Sequence, residues 1–155
     1  MSRTVTQVRD ALAAQITAIG GSWNQAPVPY ALHGPSQVPD AIPSSKAHLS
    51  FSVGCPETTI VAGRADRQRP SLGTWVVTRA ILRFLARITP KTGLASEAAA
   101  QAAELAVIQA LLAQGASYPG DMEVVFQGAT RAIVPTGEWA IHEVAFIVYH
   151  RLALQ

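Results

Sequence analysis

Two stretches of the chain carry a helical pattern of apolar residues. Val5, Val8, Leu12, Ile16 and Ile19 recur every three or four positions and form one stripe. Thr4-x-x-Gln7 stands in front of them as a capping box, in which the threonine hydroxyl takes an orphan amide and the glutamine reaches back. Gly20-Gly21 closes that helix. Leu94–Gln114 predicts a second helix, rich in alanine, with Leu94, Ala98, Leu105, Ile108 and Leu112 on its buried side. Glu97 falls in its first turn, where the dipole favours an acid, and Gly115 is the expected stop.

Elsewhere the pattern alternates. His48–Val53 places Leu49, Phe51 and Val53 on one face of a strand. Gly54-Cys55-Pro56 predicts a turn, and Thr58–Ala62 a second short strand. Asp121–Gln127 alternates through Met122, Val124 and Phe126; Thr130–Val134 is shorter and ends at Pro135-Thr136-Gly137. Glu138–Leu154 is apolar on both faces, so its middle belongs in a sheet covered on both sides.

Gly73–Pro90 fits two templates. Val76, Thr78, Ala80, Leu82, Phe84, Ala86 and Ile88 alternate with Trp75, Val77, Arg79, Ile81, Arg83, Leu85 and Arg87, which puts three arginines on one sheet face. The same arginines recur every four residues, as a helix would have them. Trp75-Val76-Val77-Thr78 favours a strand, and Thr89-Pro90 breaks the run. At about 3.3 Å per residue the stretch reaches roughly 55 Å. A strand of that length must bend, carry a bulge or project as an arm.

Two segments resist regular structure. Residues 20–47 hold Pro27, Pro29, Pro35, Pro39 and Pro43, so they form a long surface loop pinned by residues such as Trp23. Gly63–Pro70 is polar and basic with no apolar anchor. The order helix, loop, three strands, helix, three strands predicts an α+β fold. Its sheet is mostly antiparallel, of five to six strands, with both helices on one face. At 155 residues the chain is read as one domain spanning 1–155, without internal repeats.

Composition changes the picture in one respect. The apolar fraction is 49% and the charged fraction only 14%, against a surface that usually carries about a quarter charged residues. Much of the excess is alanine, and no run approaches the ~20 apolar residues of a membrane span. A surface so poor in charge fits a protein that buries part of its exterior against partners. Charge is also uneven. Arg64–Lys91 holds seven bases and one acid, a net +6; the remaining five bases and nine acids give −4. Arg64, Arg67 and Arg69 therefore mark a partner-contacting arm. Arg79, Arg83 and Arg87 form a basic face for acids of a neighbouring subunit, with Glu138 and Glu143 the candidates.

Reactive chemistry is not announced. His33, His48, His142 and His150 show no zinc spacing, and no phosphate-cradling glycine loop or nucleophile elbow occurs. The single cysteine, Cys55, excludes an internal disulfide. No catalytic, cofactor or metal residue is assigned. Sequence-specific nucleic-acid reading is disfavoured by nearly uncharged helices, though non-specific contact with DNA stays open.

Taken in order, the capped first helix, the proline-rich loop, HLSFSVG-x-P, the arginine-bearing loop, the strand ending R-x-x-x-R-I-T-P, the alanine-rich helix and a final G-E-W-A-x-x-x-V-A-F-I-V resemble one family. It is that of the tail terminator and tail-completion proteins of long-tailed bacteriophages and related tail-like particles. The likeness is of element order, size and strand character over nearly the whole chain, and carries no functional residue across. It implies a non-enzymatic virion protein made in the host cytoplasm and placed at the head-proximal end of the tail. There it would form a ring, typically a hexamer, that caps the tail tube and offers a surface to the neck or connector, with DNA passing through the lumen. A different head–tail joining or tube-associated protein is the second reading, and a small-molecule enzyme the third.

Overall fold

Two strands of 14 residues, β3 (Thr74–Arg87) and β5 (Trp139–Leu152), run antiparallel and pair from Thr74 opposite Leu152 to Arg87 opposite Trp139. They are the centre of the sheet in the computed structural model, which describes residues 3–26, 44–61, 74–113, 122–134 and 137–152. β2 (Ser50–Ile60) flanks β3 and β4 (Met122–Ile133) flanks β5, both antiparallel. A two-residue strand, β1 (Asn24–Gln25), lies parallel to the start of β2, giving the order β1-β2-β3-β5-β4. The helices are α1 (Val5–Thr17) and α2 (Gly93–Leu112). The class is α+β, as the pattern predicts.

Both helices pack on one face. Val8, Leu12 and Ile16 of α1 and Ala100, Val107 and Leu111 of α2 share a core with Phe51, Leu82, Phe84, Val144, Phe146 and Val148 of the sheet. Each such large side chain contributes about 1.5–3 kcal/mol by leaving water. Trp23, just past α1, sits edge-on to Phe84 at 5.0 Å and to Phe51 at 6.1 Å. The capping box forms: Gln7 N donates to Thr4 Oγ1 at 3.2 Å, and Thr4 N to Gln7 Oε1 at 2.9 Å. Gly20 and Gly21 follow the helix with φ of 84° and 69°, a geometry other residues adopt only with strain.

Several expectations are corrected. The six predicted strands merge into four long ones beside β1. Gly54-Cys55-Pro56 is no turn: β2 runs through it, with a register shift between Gly54 and Glu57. A bulge absorbs the proline, whose missing amide cannot join the ladder. A second bulge, between Phe126 and Gly128, joins the runs that alternate around it into β4. The Gly73–Pro90 run is strand from Thr74 to Arg87 and pairs with β5 without any shift, so the irregularities fall in the flanking strands.

α2 departs further from its sequence pattern. Its buried residues are Ala100, Glu104, Val107 and Leu111, whereas Leu94 is 85% and Leu105 54% exposed. Alanine makes every face of this helix apolar, so the stripe has no contrast, and Glu104 disguises the face that is buried. Glu97 lies just past the first turn, which holds no acid. Gly115, most of the proline-rich loop (27–43) and all of Gly63–Pro70 fall outside the described residues.

Candidate assembly surface

The pleat of β3 and β5 sends alternate side chains away from the helices. On that outer face the register sets Trp75 opposite Arg151, Val77 opposite Tyr149, Arg79 opposite Ile147, Ile81 opposite Ala145, Arg83 opposite Glu143, and Arg87 opposite Trp139. Arg83 Nε donates to Glu143 Oε2 at 2.7 Å, and both side chains are mostly shielded from water. At the two ends of the ribbon an arginine lies over a tryptophan: Arg151 over Trp75 at 5.1 Å, and Arg87 over Trp139 at 5.9 Å. Such contacts contribute about 0.5–1 kcal/mol each.

One end of this face is covered. Leu85 and Ile141 pack with Ala26, Ala47, Val134 and Trp139 in a second, smaller core. Towards the other end, Val77, Ile81, Ala145, Ile147 and Tyr149 are half-buried by their neighbours, and no helix among the described residues crosses them. Arg79 is exposed among them, beside Glu57 of β2. The surface is thus an apolar strip interspersed with arginines, two of them over tryptophan rings and one paired with Glu143. Apolar side chains interspersed with arginines are a composition common at protein contact faces.

The predicted site residues divide accordingly. Arg79, Arg83, Arg87 and Glu143 share this face, and Glu138 is exposed at its covered end, where its carbonyl accepts from Ile88 N at 2.8 Å. Arg83 and Glu143, expected to meet across subunits, are partners within one chain. Arg64, Arg67 and Arg69 lie outside the described residues.

A buried charge network escaped the pattern. Glu104, 4% exposed beneath α2, accepts from Arg131 Nε of β4 at 2.8 Å and from His142 Nδ1 of β5 at 2.7 Å. Phe84 stacks on the His142 ring at 4.7 Å. Burial pushes the Glu104 carboxyl up, but its hydrogen bonds from Arg131 and His142 outweigh this and hold it below the ordinary carboxylate range. Burial also holds His142 below the ordinary imidazole value, against the pull of Glu104, so the neutral ring donates through Nδ1. The signal in the sequence was phase: Glu104 shares its helical face with Ala100, Val107 and Leu111.

Thr58 and Thr78 hydroxyls meet at 2.9 Å, and Thr78 meets His150 Nε2 at 2.8 Å in the buried sheet. Cys55 is half-buried inside β2 against the main core, not exposed in a turn, and burial pushes its thiol up to about 11. It is protonated at neutral pH, the opposite of an activated nucleophile. Among the described residues no group of three His, Cys, Asp or Glu side chains is placed to hold a metal. Neither helix is long and apolar enough to cross a membrane.

No family model matches the chain, and no curated protein matches its sequence. Among solved structures it is similar to a chain described as "Virion of native gene transfer agent (GTA) particle", with a TM-score of 0.54 and 20% identity. The match covers 93% of this chain and 94% of that one, so the two share a fold nearly end to end.

Proposed function

We propose that this protein is a structural subunit of a phage-like virion, and within that class a tail terminator. The observation that carries the proposal is the end-to-end fold match to a virion chain, with almost nothing left over on either side. The outer sheet face agrees with a subunit role, since its apolar strip and interspersed arginines suit contact with another protein chain.

In this role the chain forms a hexameric ring on the head-proximal end of the tail tube. It stops tube growth and presents its far side to the neck or connector. The partners are copies of itself, the tube protein and the connector protein; no reaction and no cofactor are involved. The ring's lumen passes DNA through non-specific contacts alone.

The test is to add the purified protein to polymerising tail tubes and measure tube length and end decoration by electron microscopy. A terminator shortens the length distribution and decorates one end of each tube. Tubes of unchanged length with bare ends contradict the assignment.

A further inference from the structure

Little apolar surface binds α2 to the sheet. Of its 20 residues the buried ones are Ala100, Glu104, Val107 and Leu111, so two large hydrocarbon side chains and one methyl share the inner face with a carboxylate. α1 buries Val8, Leu12, Ala13 and Ile16, all apolar, in 13 residues. Beneath both helices the β3–β5 ladder runs from Thr74 to Arg87 without a shift, and its hydrogen bonds pass from strand to strand.

What fixes α2 is therefore largely polar. Arg131 binds both Glu104 oxygens, through Nη2 to Oε1 and through Nε to Oε2, and His142 Nδ1 donates to Oε2. Glu104 and His142 are 4% and 2% exposed, while the Arg131 side chain is half in water and opens one edge of the cluster to solvent. With Glu104 ionised and His142 neutral the cluster carries no net charge. In acid each of the two takes up a proton. Two cations, Arg131 and the His142 imidazolium, then lie under the helix with no anion between them, in a place where burial penalises charge.

The surrounding groups do not offset this. On α2, Glu97 is exposed and acts on Arg131 from the solvent side. β3 presents Phe84, stacked on the His142 ring. Arg79, Arg83 and Arg87 of β3, Glu123 of β4, and Glu143 and Arg151 of β5 lie on the outer face of the sheet, away from the helices. His150, the other histidine of β5, is bonded to Thr78. The buried residues of α1 carry no titratable group.

We infer that α2 is an acid-released latch: protonation of the Glu104–His142 pair frees this helix from the sheet while α1 and the four long strands stay folded. The acid response thus belongs to one element, a local opening that uncovers part of the apolar inner face of the sheet. It does not depend on the terminator reading.

Hydrogen–deuterium exchange of the full chain, read by mass spectrometry and corrected for the intrinsic rate, is compared about one pH unit above 6.5 and about one below 4.5. Peptides from Gly93–Leu112 should lose protection about tenfold or more in acid, and those from β3 and β5 less than about twofold. Glu104→Gln removes the anion and leaves Arg131 in place, so its α2 should exchange faster than the parent's already at the higher pH. Glu104→Met with His142→Phe removes both titrating groups at similar volume, an exchange that buried ion pairs often tolerate. Its α2 should stay protected at both pH values. Loss of protection in β3 and β5 together with α2 would make the response global and overturn the latch. So would an α2 that keeps its protection in acid, a Glu104→Gln variant that matches the parent at the higher pH, or a double variant that releases α2 where the parent does.

Discussion

Glu104 and His142 meet at 2.7 Å beneath α2, one the acid of an otherwise apolar helix face, the other stacked on Phe84 in the centre of the sheet. Their hydrogen bond fixes which face of α2 looks inward. Glu104→Ala leaves the buried His142 donor without its acceptor, while Arg131, half in water, is resolvated. The expected loss is about 2 kcal/mol, the usual cost of an unsatisfied buried group. Arg131→Ala should cost less, about 1 kcal/mol. Urea unfolding of the two variants checks the order.

The same pair sets a pH dependence. His142 is held below its ordinary 6.5 by burial, and Glu104 below 4.5 by its two hydrogen-bonded partners, which overcome its burial. The unfolded chain takes up a proton at each position before the native chain does. Stability is therefore full above pH 6.5, falls as pH drops below that value, and falls again below 4.5 as Glu104 is protonated. His48, lowered by burial and by Arg87, adds in the same sense. The urea midpoint against pH should be flat above about 6.5 and decline below it. His142→Asn should shrink the upper part of that decline to the share due to His48 and leave the lower part.

Leu111 and Leu105 separate the observed face of α2 from the one its periodicity suggests. Leu111 is 1% exposed and Leu105 54%. Leu111→Ala should cost about 3 kcal/mol and Leu105→Ala under about 0.5 kcal/mol. Equal losses in a denaturant series would contradict the observed rotation of the helix.

Arg83 and Glu143 form a cross-strand ion pair within one chain. Arg83→Glu sets two acids directly opposite and should destabilise by about 1 kcal/mol. Adding Glu143→Arg should restore most of the loss. A double-mutant cycle measures the coupling, expected at on the order of 1 kcal/mol and weaker in high salt.

Much of the fold was legible because local chemistry and global position agreed. The capping box at Thr4, the stripe from Val8 to Ile16 and the alternation in β3 and β5 each point to one answer. The sequence misled where a breaker was absorbed. Pro56 and Gly128 look like ends of strands, yet each sits at a bulge in a strand that continues, because the sheet supplies pairing on the far side. α2 misled for another reason: in an alanine-rich helix, phase is decided by which residue finds a polar partner, and Arg131 and His142 are distant in sequence from Glu104. Of the candidate surface, the arginine face of β3 was visible from period alone. The register that gives Glu143 to Arg83, and tryptophans to Arg87 and Arg151, depends on strand pairing that no local pattern encodes.

In the proposed role this chain works as a closed ring. Native mass spectrometry of the protein, alone at high concentration and bound to tail tubes, distinguishes that ring from other assemblies. The predicted result is a species of about six times the 16.4 kDa chain mass, with no ladder of larger forms. A chain that stays at 16.4 kDa under both conditions, or that grows without limit into filaments, would contradict it.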